Sequence, residues 1–130
     1  MRIVAIVARY LLGIMFTVFG LNGFLQFIHQ PPPTNPLALQ FLVAISASHF
    51  SAFFFAVQVL AGLLLLSGYF VPLALVLLAA EIFNILAFHL TMAPATLGPG
   101  LLAAVLWVPV FLQYKRSFDG ILSARGISQE

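Results

Sequence analysis

Residues 59–89 read VLAGLLLLSGYFVPLALVLLAAEIFNILAFH, and this stretch is the most informative part of the sequence about the architecture. Two apolar runs, about 51–70 and 72–90, meet at the segment SGYFVP, where glycine and proline predict a tight turn. At 1.5 Å per residue each run makes roughly 30 Å of helix, which matches the hydrocarbon core of a bilayer. The second run also carries Glu81, Asn84 and His89. The stretch therefore predicts two membrane-spanning helices with polar groups among their apolar residues.

The composition of the whole chain agrees with a membrane environment. Of its 130 residues, 63% are hydrophobic and only 6% are charged, whereas about a quarter of a soluble domain is charged. Such a chain has too little polar surface to stay dissolved in water, so the bilayer is the expected solvent. The absence of cysteine excludes disulfides and cysteine-ligated metal centres. The net charge of +2 is too small to indicate nucleic-acid binding.

Breaks in the apolar pattern divide the chain into spans. The segment HQPPPTNP (29–36) stops the first apolar run, because proline lacks the amide proton that a helix needs. The stretch at 37–48 predicts a short interfacial or re-entrant helix before the second span, and TMAPATLGPG (91–100) separates the last two spans. The predicted spans are about 5–28, 51–70, 72–90 and 98–114, followed by a polar tail at 115–130.

These breaks predict a single all-α domain over residues 1–130, an integral membrane four-helix transmembrane bundle. Glycine and other small residues in the segments GLNG, VLAG and PGLLAA permit close contact between helices in lipid. All five basic residues lie near the two ends of the chain, namely Arg2, Arg9, Lys115, Arg116 and Arg125. Four spans bring both termini to one side, and the positive-inside rule makes that side the cytoplasm.

The polar residues of different spans fall at similar predicted depths. Asn22, Gln58 and Asn84 each lie roughly 18 Å from the cytoplasmic end of a span, and Glu81 lies near the midplane. Gln26 and His89 lie further toward the outer face, and Phe88 shares a helical stripe with Glu81 and Asn84. Side chains at matching height on different helices suit a shared interior site. The predicted ligand-binding residues are Asn22, Gln26, Gln58, Glu81, Asn84, Phe88 and His89.

Glu81 is the member of this set that packing explains least. A lone ionised carboxylate at the bilayer centre costs about 2.5–3.5 kcal/mol on insertion scales. We expect Glu81 either to be protonated and hydrogen-bonded to Gln58 or Asn84, or to line a hydrated pocket. For the amides Asn22, Gln58 and Asn84, hydrogen bonding between helices is the alternative to ligand contact.

The sequence offers little for catalysis. His29, His49 and His89 have no i, i+3 or i, i+4 spacing, so no metal site is predicted. No nucleophile triad, phosphate-binding loop or paired catalytic carboxylates are present. We therefore favour a chain without catalytic activity of its own.

Three segments carry a family resemblance: RYLLGIMFTVFGLNGFLQF (9–27), VLAGLLLLSGYFVPLALVLLA (59–79) and NILAFH (84–89). Their order and spacing resemble the DoxX family of small bacterial membrane proteins. The resemblance implies a four-helix bundle in the bacterial cytoplasmic (inner) membrane. It also implies a link to quinone-dependent thiosulfate oxidation, to membrane oxidoreductase complexes or to the assistance of other membrane proteins.

The chain departs from the family pattern at three polar positions. Relatives often carry an acid in place of Gln58, often lack one in place of Glu81, and commonly have a histidine in place of Gln26.

The first functional hypothesis is an accessory or binding subunit with an outward-facing pocket for a lipophilic ligand such as a quinone or lipid. The alternatives are a subunit of a quinone-linked membrane oxidoreductase and a membrane-protein assembly factor. The expected partners are the lipid bilayer, a lipophilic small molecule, and another membrane protein or a second copy of the chain.

Overall fold

The computed structural model describes residues 1–129, and its regular structure over that range is entirely helical. Three helices are long and apolar enough to cross a membrane, and a fourth in the same bundle has 16 residues, or roughly 24 Å. Short 3-10 segments occupy Pro94–Thr96 and Lys115–Phe118. The α-helices are α1 (Arg2–Leu25), α2 (Pro36–Ala47), α3 (Phe50–Ser67), α4 (Val71–Met92), α5 (Gly98–Gln113) and α6 (Asp119–Leu122).

Four of these helices form a closed antiparallel bundle. α1 packs against α3 and α5, and α4 packs against the same two helices. The short helix α2 lies outside this ring, against α3 and α4. Large apolar side chains remain exposed around the bundle, as expected for a protein whose outer surface meets lipid. The core consists of Ala8, Leu12, Phe16, Ala61, Leu65, Val71, Ala74, Leu75, Leu78, Ile82, Ala103, Val110 and Phe118.

The contact between α1 and α3 depends on small residues. A Cβ added at Gly62 would collide with the Thr17 hydroxyl and would lie 2.7 Å from the Thr17 backbone nitrogen. A Cβ added at Gly20 would lie 2.9 Å from the backbone nitrogen of Val59. The two backbones therefore approach each other more closely than side chains would allow, as the GLNG and VLAG segments predict.

The α3–α4 turn occurs where glycine and proline predict it. Gly68 has φ 78° and Phe70 has φ 56°, so two left-handed residues reverse the chain within the segment Ser67–Val71. Glycine adopts this conformation at no steric cost, and Pro72 suits the first turn of α4. α3 therefore ends at Ser67, three residues before the predicted boundary at 70.

The first helix also ends three residues earlier than predicted, at Leu25 instead of Ile28. Gln26 adopts a left-handed conformation (φ 53°), and its backbone N–H donates to the carbonyl of Asn22 at 2.8 Å. This local C-cap ends the helix before the prolines at 31–33 can act. In contrast, α4 extends two residues beyond the predicted boundary and ends at Met92.

One end of the bundle collects the positive charge, and we call it the basic end. It contains the start of α1 with Arg2 and Arg9, and the end of α5 with Lys115 and Arg116 just beyond it. The Arg9 guanidinium donates to the backbone carbonyl of Leu65 in the last turn of α3. A cation in this position stabilises the negative end of the helix dipole.

Candidate functional site

A buried polar pair lies at the centre of the bundle. The Gln58 Nε2 group donates a hydrogen bond to Oε2 of Glu81 at 3.3 Å. The exposed fractions of the two side chains are only 4% and 5%. Glu81 forms no ion pair with any of residues 1–129, so this amide is its hydrogen-bonding partner within the described chain. Of the two neighbours expected for Glu81, the structure selects Gln58.

The tight turn between α3 and α4 brings these residues to the same height. Gln58 lies about 14 Å before the end of α3, and Glu81 lies about 15 Å after the start of α4. Because the helices are antiparallel neighbours, equal distances from the turn set the two side chains opposite each other. Gly20 of α1 packs at the same level, since a Cβ there would lie 3.1 Å from Cβ of Gln58.

Asn22 is used locally, at the end of its own helix. It lies in the last turn of α1, and its Oδ1 accepts a hydrogen bond from the backbone N–H of Ile28 at 2.7 Å. Its backbone carbonyl caps the helix through Gln26, whose side chain is exposed. In the structure Asn22 still lies near the level of Gln58, because Gly20, two residues before Asn22, packs against Gln58. Its side-chain oxygen is committed to stabilising the chain reversal that follows α1.

Asn84 points away from the buried pair. Its side chain is exposed, and Nδ2 donates to the carbonyl of Ala80 one turn earlier at 2.9 Å. The residues at the adjoining turns of the same face, Ala80 and Ala87, are small and exposed as well. Asn84 therefore presents an amide on the outside of α4, in the middle of an apolar helix.

Phe88 and His89 belong to a separate cluster near the end of α4 that lies opposite the basic end. The Phe88 ring stacks on Phe41 of α2 at 5.5 Å between centroids, and it meets the His89 ring edge-on at 5.1 Å. His89 Nδ1 lies 3.2 Å from the carbonyl of Ala93 and 3.0 Å from the Thr96 hydroxyl. These contacts hold the loop after α4 against the helix end. They leave Nε2 of His89 for another partner.

The seven predicted residues thus divide into four groups. Gln58 and Glu81 form the buried pair, Asn22 and Gln26 cap α1, Asn84 faces outward, and Phe88 with His89 forms the aromatic cluster on α2 and α4. His29 and His49 are exposed, and residues 1–129 contain no group of three or more His, Cys, Asp and Glu that could hold a metal ion.

Two surface grooves are lined by none of the seven predicted residues. One has a volume of about 310 Å³ and is lined by α4 and α5, through Ala79, Ile82, Phe83, Leu86, Ala104, Trp107 and Val108. The other has a volume of about 390 Å³ and runs along α2, beside Leu42, Val43, Ser46 and Ala47. The first is almost wholly apolar and lies beside Ile82, the residue that follows Glu81. Its lining suits an acyl chain or a flat apolar ring.

Two polar features of the bundle were not expected from sequence as parts of a site. Trp107 Nε1 donates to the carbonyl of Leu75 at 2.9 Å and ties α5 to α4. The Thr17 hydroxyl is buried without a hydrogen-bonding partner in the described chain. In the sequence, Trp107 and Thr17 are isolated polar groups in apolar runs. This pattern does not indicate which residues they contact.

Comparison of the chain with family models, curated proteins and solved structures found no match.

Proposed function

We propose that the chain is a four-span integral membrane protein of a bacterial inner membrane, with both termini in the cytoplasm. The antiparallel order of α1, α3, α4 and α5 supports an even number of crossings. The fourth crossing would need α5 at its 16 residues, which a locally thinned bilayer can accommodate. The basic end supports the orientation, because Lys and Arg are retained on the cytoplasmic side.

The topology can be tested with single cysteines, since the chain contains none of its own. Ser123→Cys lies beyond α6 at the basic end, and Ser48→Cys lies in the exposed link between α2 and α3. In right-side-out vesicles, a membrane-impermeant maleimide should label the second variant and not the first. Inverted vesicles should give the reverse, and labelling of both from one side would contradict four crossings.

Within this membrane protein, the Gln58–Glu81 pair is the polar centre of a binding site for a lipophilic ligand such as a quinone. The chain acts as a DoxX-like accessory or binding subunit without catalysis of its own. The observation that carries this proposal is a buried carboxyl group whose partner is an amide rather than a cation. Ionisable groups inside membranes are costly and mark functional sites by default.

The ligand would reach the pair from the half of the bundle opposite the basic end. His89 and the Phe41–Phe88 stack lie in that half, whereas the core of the basic half is apolar. A carbonyl or hydroxyl of the ligand can accept from Gln58 or bind to Glu81 while its apolar part lies among Phe41 and Phe88. Because the pair is buried, entry requires α3 and α4 to separate locally.

The test is to extract the protein with its own lipids and to analyse the bound molecules by native mass spectrometry. A lipophilic molecule enriched over bulk lipid, and lost from Glu81→Ala and Gln58→Leu, is the expected result. Asn22→Ala serves as the matched control, because this amide caps α1 and does not touch the pair. A preparation that retains only bulk lipid, or equal retention in all three variants, would reject the proposal.

A second function is supported by Asn84, namely pairing with a helix of another membrane protein, as an assembly factor would do. The exposed amide between Ala80 and Ala87 lies where a close-packed partner helix could satisfy it. Asn84→Leu should then release a co-purifying membrane protein. Phe53→Leu, at an exposed apolar position on α3, should not. Equal recovery of the partner with both variants would remove this candidate.

A further inference from the structure

The basic end carries cations that the fold does not neutralise. Arg2, Lys115, Arg116 and Arg125 are exposed, and none of them forms an ion pair within residues 1–129. Asp119 is the one acidic side chain described at this end, and it is also exposed. Arg9 differs from the other cations, because it is partly buried and bonded to Leu65. The surface therefore has a clear excess of accessible positive charge.

The segment that follows α5 is folded back against this end. Phe118 is only 5% exposed, and its ring meets Phe111 of α5 edge-on at 5.0 Å between centroids. Phe111 in turn stacks on Trp107 at 5.0 Å. This aromatic series anchors the 3-10 turn Lys115–Phe118 to α5, and this turn carries Lys115 and Arg116.

The same surface also exposes large apolar side chains. Ile121 and Leu122 are 71% and 62% exposed, and Tyr69 and Phe70 of the α3–α4 turn are 74% and 70% exposed. α1 extends past this turn, because Gly13 packs against Leu66, only one residue before the end of α3. Exposed cations and exposed apolar side chains thus occur together at the basic end, beyond the last turn of α3.

We propose that the basic end binds anionic phospholipid headgroups of the membrane leaflet that adjoins it. Lys115 and Arg116 contact the phosphates, and Ile121 and Leu122 enter the boundary between headgroups and acyl chains. The positive charge attracts the side chains to an anionic leaflet. The apolar side chains gain free energy by inserting into the membrane, which binding of a soluble anion would not provide. The proposal rests on the membrane location proposed above, and it is independent of the Gln58–Glu81 pair.

Trp107 allows a direct test, because it is the only tryptophan in the chain. It lies about 9 Å along α5 from the basic end, within energy-transfer range of a dansyl group on a headgroup in that leaflet. The full-length protein is incorporated into nanodiscs that contain either dansyl-labelled phosphatidylglycerol or dansyl-labelled phosphatidylcholine. At equal dye content and low salt, transfer from Trp107 should be greater to the anionic lipid, and high salt should reduce the difference.

The variant Lys115→Gln/Arg116→Gln should lower the preference for the anionic lipid, by about fivefold for each cation that contacts the surface. Lys115→Arg/Arg116→Lys should retain it, since the charge is kept. Asp119→Asn is the control of opposite sign and should leave the preference unchanged or increase it. All of these side chains are exposed, so the fold is expected to persist, and circular dichroism verifies it.

Three results would overturn the proposal. The first is equal transfer to both lipids at low salt, and the second is an unchanged preference in the glutamine double variant. The third is loss of the preference when millimolar inorganic phosphate is added at constant ionic strength, which would indicate a site for a free anion. Glu81→Gln should keep the lipid preference, so failure of the ligand site and failure of the lipid site are separate outcomes.

Discussion

Gln58 and Glu81 meet across α3 and α4 with 3.3 Å between the amide nitrogen and the carboxyl oxygen, and both side chains are buried. This contact joins two helices at mid-height, where the other core residues are apolar. The contribution of this contact to stability can be measured separately from its contribution to ligand binding. Replacing both residues removes the contact without leaving either polar side chain buried and unpaired.

Gln58→Leu should lower the free energy of unfolding by about 1–2 kcal/mol, since it leaves Glu81 buried without its partner. Gln58→Leu/Glu81→Leu should recover most of the loss, because it removes both polar groups together. Thermal unfolding in detergent, followed by circular dichroism, measures both variants. If the double variant is less stable than the single one, Glu81 must have a stabilising contact other than Gln58.

Gly62→Ala should weaken the bundle by about 1–3 kcal/mol, as overpacking does in tight cores. The new methyl group would meet both the hydroxyl and the backbone nitrogen of Thr17, and the backbone cannot rotate away. Gly98→Ala is the matched control, because a Cβ there meets nothing within 4 Å. Equal unfolding midpoints for the two variants would show that α1 and α3 can move apart at little cost.

The sequence predicts the helices of this chain better than it predicts the site. The turn at Gly68 and the separate short helix before α3 follow from local chemistry, so residues 67–72 and 37–48 are recognisable in advance. The end of α1 was missed because it depends on a cap made by Asn22 and Gln26, whereas the prolines further along gave the stronger signal.

Predicted depth is one coordinate of a side chain, and it does not give the direction in which that side chain points. Gln58 and Asn84 have similar predicted depths, yet the structure buries Gln58 opposite Glu81 and leaves Asn84 exposed. The direction depends on which neighbours each helix acquires, and this follows from packing of the whole bundle. The burial of Phe118 also depends on packing against the bundle. A polar tail with one aromatic residue has no hydrophobic periodicity that would predict this burial.

Trp107→Phe should lower the free energy of unfolding by about 0.5–1.5 kcal/mol, the usual contribution of one hydrogen bond. The variant removes the indole N–H that donates to Leu75 but keeps an aromatic ring to stack on Phe111. Trp107→Leu removes both contacts and should cost more. Identical thermal stability of Trp107→Phe and the wild type would mean that the contact with Leu75 contributes nothing net.

Phe118→Ala should release the segment after α5 and open the peptide bonds after Lys115 and Arg116 to trypsin. Loss of a buried phenylalanine costs about 3–5 kcal/mol when its site cannot collapse, and here the loss falls on a short segment that can open locally. Cleavage after these two residues should therefore accelerate at least about tenfold in limited proteolysis. Ile127→Ala, at a position that is 86% exposed, should be cleaved at the wild-type rate. An unchanged rate for Phe118→Ala would mean that contacts other than the Phe111–Phe118 pair hold this segment, and that the basic end keeps its shape without it.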